Sequence, residues 1–315
     1  MISISFSLDR SIEIAKPIEE VFQFVADFNN WRSWSAWIIQ EPQCPVTIEG
    51  EPNTQGHKQT WDGDLIGKGS ISIASLFENQ YLDFDLHFFA PWKSHSKTQF
   101  KFSPIEMADG SEGTSVTWAM QGSLPVFMFF FKKMMTAMIG SDYERGLAML
   151  KEKLETGSVT SAVDINGVSE QKGFYYIGYP VTCHKKDISQ KVSPLFEKLC
   201  TADLPKPDKV LTVVNKFDMV SEQCDMVVAF AYPNKPDFTV PDGMIMADMP
   251  NHQALEVLHT GSYHHLSNGW TTLMCYLRHA KLKANKRLKE YEVYLNSPAE
   301  VPSEQLKTAI YAPLK

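Results

Sequence analysis

SYHHLSNGWTTLMCYL, residues 262–277, carries apolar side chains at Leu266, Trp270, Leu273 and Leu277, the spacing of one helix face. Seventy-eight residues earlier, HKKDISQKVSPLFEKL, residues 184–199, sets Ile188, Val192, Leu195 and Leu199 at matching places. The same displacement carries LTVVNKF, residues 211–217, onto KEYEVYL, residues 289–295, so a helix and its following strand recur together. With first strands expected near 174–182 and 253–260, and last strands near 223–231 and 306–313, the second half reads as a duplicated β-α-β-β unit. One helix cannot bury the face of a small sheet alone. Paired units would share a sheet with both helices on one face and a concave ligand groove on the other.

Upstream of the repeat the pattern is different. KPIEEVFQFVADFNNW, residues 16–31, has helical spacing at Ile18, Val21, Phe22, Val25 and Phe28, after a strand-like N-terminus. Beyond residue 58 the period falls to two: Leu82, Phe84, Leu86 and Phe88 alternate with polar residues, and Val116, Trp118 and Met120 repeat this. A last helix is expected from Ser141, where SDYE supplies a capping box with Glu144 and the stripe is Tyr143, Leu147, Leu150 and Leu154. Residues 155–172, ETGSVTSAVDINGVSEQK, hold no period and read as an exposed connection. The expected domains are therefore 1–156 and 172–315, with 157–171 as linker.

Two domains suit a chain of 315 residues. Lys+Arg 30 against Asp+Glu 37 gives a net charge of −7, which disfavours an extended phosphate-binding face, so no nucleic-acid partner is expected. The basic run RHAKLKANKRLK, residues 278–289, lacks interleaved aromatics and fits a helix C-terminus and turn. Five cysteines, at 44, 183, 200, 224 and 275, form no CxxC and read as reduced thiols. No secretion signal is apparent, and the expected location is cytoplasmic. The most apolar stretch, LPVFMFFF at 124–131, stops at Lys132 and Lys133, too short to span a bilayer, and reads as core or cavity wall, with a membrane-touching patch as the alternative. No cofactor is expected.

IEIAKPIEEVFQFVADFNNWRSWSAW and IGSDYERGLAMLKEKLE resemble the START-like, polyketide-cyclase-like members of the SRPBCC superfamily. The resemblance implies an α+β helix-grip fold, a curved antiparallel sheet around a long C-terminal helix with an apolar tunnel between them. It implies no catalytic residue. Trp31, Trp34, Trp37, Trp61, Trp92 and Trp118 either line that tunnel or pack the core. VLHTGSYHHLSNGWTTLMCYL, EYEVYLNSP and LKTAIYAPL are similar to the GyrI-like effector-binding domain. That resemblance implies a small-molecule pocket where the repeats join, with Tyr263 and Trp270 beside it and Glu292 and Tyr294 contacting amphipathic, often cationic ligands.

The residues also have their own reading. Gly261 and Ser262 end a strand and cap a helix, and Trp270 either borders the groove or packs the helix onto the sheet. His264 and His265 are adjacent, point about 100° apart on a helix, and would not chelate one metal. In a strand Glu292 and Tyr294 share a face opposite Tyr291 and Val293. If the apolar pair faces the helices, the acid and phenol face the groove; otherwise they sit on a solvated edge. Lys216, the repeat mate of Tyr294, would enter the same groove and offset the acid. Glu290 is expected nearer solvent.

The expected function is binding of hydrophobic or amphipathic small molecules, cationic ones included, as sensor, carrier or sequestering protein. A hydrolase acting on electrophilic compounds is the alternative, with Glu292 as general acid or base and Tyr294 orienting water. A chaperone-cofactor or other protein-interaction role of the first half is the third.

Overall fold

The computed structural model describes residues 3–91 and 93–315, and its chain divides into two compact units between Val159 and Thr160.

The first opens with β1 (Ser3–Ile14) and α1 (Ile18–Val25), whose Ile18, Val21, Phe22 and Val25 are buried as their spacing requires. There follow β2 (Val46–Glu49), β3 (Lys58–Asp62), β4 (Lys68–Phe77), β5 (Tyr81–Ala90), β6 (Ser94–Glu106) and β7 (Glu112–Pro125), and finally α2 (Lys132–Thr156). All seven strands join one antiparallel sheet in the order β1-β7-β6-β5-β4-β3-β2. The long helix buries Tyr143, Leu147, Leu150 and Leu154 and ends on Gly157, whose left-handed φ of 88° suits a residue without Cβ. It begins nine residues before Ser141. The apolar run leads straight into it through a 3-10 turn, Val126–Phe131, so the start signal read at Ser141 falls inside the helix.

The second unit contains β8 (Ser161–Gln171), β9 (Phe174–His184), α3 (Ile188–Cys200), β10 (Lys209–Asp218), β11 (Gln223–Tyr232), β12 (Ile245–Met249), β13 (His252–Gly261), α4 (Leu266–His279), β14 (Glu290–Tyr294) and β15 (Lys307–Pro313). Its sheet runs β12-β9-β11-β10-β14-β15-β13-β8. The two β-α-β-β units thus meet at the antiparallel pair β10–β14, where Val213 lies opposite Tyr291, its own repeat mate. That pair marks the pseudo-twofold axis.

The linker expectation fails at 161–171. These residues form β8, paired with β13 from Ser161–Gly261 to Gln171–His252. Polar side chains and Gly167, at φ 89°, suit an edge strand with one wet face and a bulge, which is why no apolar period announced it.

Both faces of the second sheet are buried, but differently. Val192 and Leu199 of α3 pack with Ile177, Met226, Val228 and Phe230, whereas Leu211, Val213, Val227, Tyr291 and Val293 cluster on the opposite face. Glu292 and Tyr294 therefore lie on the helix side, not on the helix-free side expected for the groove. With apolar residues on both faces, alternation along β14 cannot decide which face the helices cover.

Candidate small-molecule sites

The helices leave a strip of the second sheet open between them. α3 packs on β9 and β11, and α4 on β13, β8 and β15, so the central strands β10 and β14 form the floor between them. Onto this floor project Thr212, Glu292 and Tyr294, since Thr212 pairs with Glu292 and Glu292 with Ile310, against which Gly269 of α4 closes.

Four of the sequence-designated residues converge there. Trp270 Nε1 of α4 donates to Glu292 Oε1. Tyr294 OH donates to Glu292 Oε2 at 2.8 Å, and Thr212 Oγ1 donates in turn to the Tyr294 oxygen at 2.9 Å. Tyr263 sits edge-on to the Tyr294 ring at 5.6 Å, and Phe196 of α3 meets the same ring at 5.2 Å. α3 and the turn before α4 therefore reach one phenol. Tyr263 lies on the 3-10 turn before α4 rather than on the helix; Ser262 Oγ caps that turn by accepting from His264 N.

Glu292 is only 8% exposed, and burial raises its pKa against the lowering effect of the Trp270 and Tyr294 hydrogen bonds. No cationic side chain figures among the groups that hold its charge within the described residues. Lys216 does not supply one. A bulge between Val214 and Lys216 places it opposite Asp225, next to Met226 of the helix-side cluster and so on the other face. Burial and the nearby carboxylate push Tyr263 up to about 12, although its side chain is the most open of the four, at 37%. Glu290, expected near solvent, is half-buried on the Glu292 face, and burial raises its pKa too.

Sequence reasoning missed Thr212 and Phe196. The repeat displacement maps Thr212 onto Glu290, and only the cross-strand register brings it to Glu292. It also missed His259, fully buried in the same sheet face, whose Nε2 meets Ser161 Oγ at 2.9 Å and whose pKa burial lowers to about 4.

The first unit holds a different site. A cavity of about 220 Å³ lies between its sheet and α2, lined among others by Trp31, Trp37, Trp61, Trp118, Phe88, Ile139 and Tyr143. Four of the six tryptophans named from sequence line it. Trp34 is packed in the core instead, and Trp92 lies outside the described residues. Trp118 stacks on Tyr143 at 4.0 Å between centroids. Thr98 Oγ1 gives its proton to Ala119 O, and accepts from Trp118 Nε1 and Tyr143 OH, each at 2.8 Å. One acceptor on the lining, Gln59 Oε1, is buried with no hydrogen-bond partner among the described residues.

No group of three or more His, Cys, Asp or Glu among the described residues is placed to hold a metal, and no described helix is long and apolar enough to cross a membrane.

Comparison with known proteins defines the class. Residues 5–155 match the family model described as polyketide cyclase / dehydrase and lipid transport, and residues 169–315 match the GyrI-like small molecule binding domain. The first half is thus an SRPBCC, polyketide-cyclase-like domain and the second a GyrI-like domain; both are small-molecule-binding folds. No curated protein matches the chain. Among solved structures, the Aha1 dimer from Colwellia psychrerythraea is 16% identical over 48% of this chain and 98% of its own, with a TM-score of 0.36. SAV2435 bound to tetraphenylphosphonium is 13% identical over 48% and 94%, with a TM-score of 0.39. The C-terminal domain of EcmrR is 16% identical over 49% and 98%, with a TM-score of 0.40.

Proposed function

We propose that the second half binds amphipathic organic cations between α3 and α4, with Glu292 as the anionic anchor and Tyr263, Trp270 and Tyr294 as its aromatic walls. The observation that carries this reading is a buried carboxyl held by two neutral donors and by no cation among the described residues. Burying such a group without a counter-charge is costly. A ligand cation would supply that charge, and the surrounding rings would add cation–π attraction. The first half contributes a second, largely aromatic site for a smaller aromatic or apolar compound, its one lining carboxylate, Asp142, being already paired with Arg145, and the chain acts as a sensor, carrier or sequestering protein.

Tetraphenylphosphonium and its near-isostere tetraphenylborate test it, since they differ in sign rather than shape. Calorimetric titration should show binding of the cation and not of the anion. Glu292→Gln should weaken the cation by about 30-fold to several thousand-fold, the cost of removing one partner from a buried charge pair. Equal binding of both ions by the native chain would remove the anchor role.

The raised pKa of Glu292 and the adjacent Tyr294 hydroxyl favour one second reading, hydrolysis of an electrophilic compound with Glu292 as general acid or base. Turnover of an epoxide or other strained electrophile, abolished by Glu292→Gln, would establish it. Absence of turnover with the cation still bound would leave binding alone.

A further inference from the structure

The stretch read from sequence as core or cavity wall is on the surface. Phe127 and Phe129 are each 68% exposed and Phe130 72%, with Val126, Phe131 and Met134 also exposed. Single exposed apolar residues are ordinary, but six within nine positions form a patch that calls for an apolar partner.

Its surroundings are basic. Lys132 and Lys133 follow the aromatic run directly, and no Asp or Glu occurs between Glu112 and Asp142. Strand register adds a second arm. Phe88 pairs with Ser94 and Lys97 with Gln121, so the end of β5, the start of β6 and the end of β7 converge on one end of the sheet. Exposed Phe89 and Lys93 lie there, and residues 86–98 also lack an acid. A chain of net charge −7 therefore presents one aromatic surface rimmed by lysines.

We propose that this end of the first domain docks on an anionic lipid surface, with Phe127, Phe129 and Phe130 entering the interface and Lys93, Lys132 and Lys133 meeting the head groups. Aromatic rings beside lysines are the side chains that partition to a bilayer interface, and the lysines add attraction to anionic lipid. A symmetric contact with a second copy fits less well, because a self-complementary patch would bring the same lysines together. The net negative remainder of the chain would be repelled, which orients the molecule. Cavity-lining Phe88 adjoins exposed Phe89 in β5, and cavity-lining Ile139 follows exposed Met134 by little more than a turn of α2, so docking would set the cavity's end against the lipid.

Co-sedimentation of the full chain with phosphatidylcholine vesicles, with and without phosphatidylglycerol, tests the proposal. Binding should be strong only with phosphatidylglycerol and fall as salt is added. Each lysine near an anionic surface is worth roughly five-fold in partitioning, so Lys132→Gln with Lys133→Gln should weaken binding about twenty-five-fold. Phe127→Ser, Phe129→Ser and Phe130→Ser together should abolish it, while an unchanged circular dichroism melt verifies folding. Failure of the native chain to sediment with phosphatidylglycerol vesicles would overturn the proposal, as would undiminished binding by the phenylalanine variant. A native dimer that the phenylalanine changes dissociate, without vesicle binding, would assign the patch to a second copy instead.

Discussion

The cavity of the first domain and the floor of the second place their polar atoms in opposite ways. Around the cavity, Thr98 answers Trp118, Tyr143 and the Ala119 carbonyl, so the hydroxyls and the indole are spent on one another and the wall is left aromatic. On the second floor, Thr212, Tyr294 and Trp270 all feed hydrogen bonds toward Glu292 and leave its charge uncompensated. On the proposed reading the first site would select by shape. The second would select by sign, because the charged residue on the cavity wall, Asp142, is already paired with Arg145 at 2.6 Å, whereas the buried Glu292 carboxyl has no such cation among the described residues.

The largest expected effect tests whether the aromatic wall is also the first domain's core. Trp118 is 2% exposed, stacks on Tyr143 and Phe100, and lines the cavity. Trp118→Ala should cost about 3–5 kcal/mol of stability, the range for large-to-small changes in a packed interior. Six of the seven tryptophans lie before residue 119, so indole fluorescence follows the first domain and should report this loss. A loss below about 1 kcal/mol would mean that the wall can collapse, and the cavity would not be a fixed shape.

Acid should distinguish the halves next. Buried His259 titrates near 4 in the folded chain against an ordinary 6.5, because burial disfavours its charged form. The unfolded chain takes up this proton more readily, so the histidine's contribution is complete above pH 6.5 and lost as pH falls toward 4, about 3 kcal/mol in all. Glu292 works the other way: with its folded pKa raised, stability falls as pH rises above the ordinary carboxylate range. Hydrogen exchange of second-domain amides should therefore show acid opening that His259→Gln suppresses and Glu292→Gln does not. Equal acid opening in native chain and His259→Gln would place the sensitivity elsewhere.

A finer test concerns how the carboxyl is held. Trp270→Phe keeps an aromatic ring and removes the indole N–H from Glu292. A hydrogen bond to a charged group is worth roughly 1.5–3 kcal/mol, so cation affinity should fall about ten- to a hundred-fold. The pH midpoint of binding should also rise, since one group that favours the ionised carboxyl is gone. An unchanged midpoint with weaker affinity would make Trp270 a wall and not a donor.

What the sequence made legible follows the same division. The repeat was readable because a helix stripe and its strand recur at fixed spacing, and the convergence of Tyr263, Trp270, Glu292 and Tyr294 came with the family resemblance. The face they occupy was not readable. Tyr291 and Val293 are apolar because a second cluster buries them, and nothing in a two-residue alternation says which apolar layer contains the helices. Strand β8 was hidden because an edge strand with polar residues and Gly167 looks like a linker until its partner is known. The 124–131 run was read as interior because apolar composition records a need for cover, not what provides it.

Lys216 gives the smallest expected effect and the most local test of the charge argument. By displacement alone it is the mate of Tyr294, and a lysine there would neutralise Glu292 and erase the cation preference. The bulge after Val214 turns it instead toward Asp225, and it adds a small part to the lowering of the Asp218 pKa on that same side, which comes first from hydrogen bonds of Ser221 and Val220. Exposed charges on the far side of a sheet are screened by solvent and contribute little. Lys216→Gln should therefore change tetraphenylphosphonium affinity by less than about two-fold, within about 0.5 kcal/mol. A ten-fold gain would mean that the lysine reaches the carboxylate after all; the bulge would then not separate the repeats, and sign selection would rest on a competing ion pair rather than on an uncompensated acid.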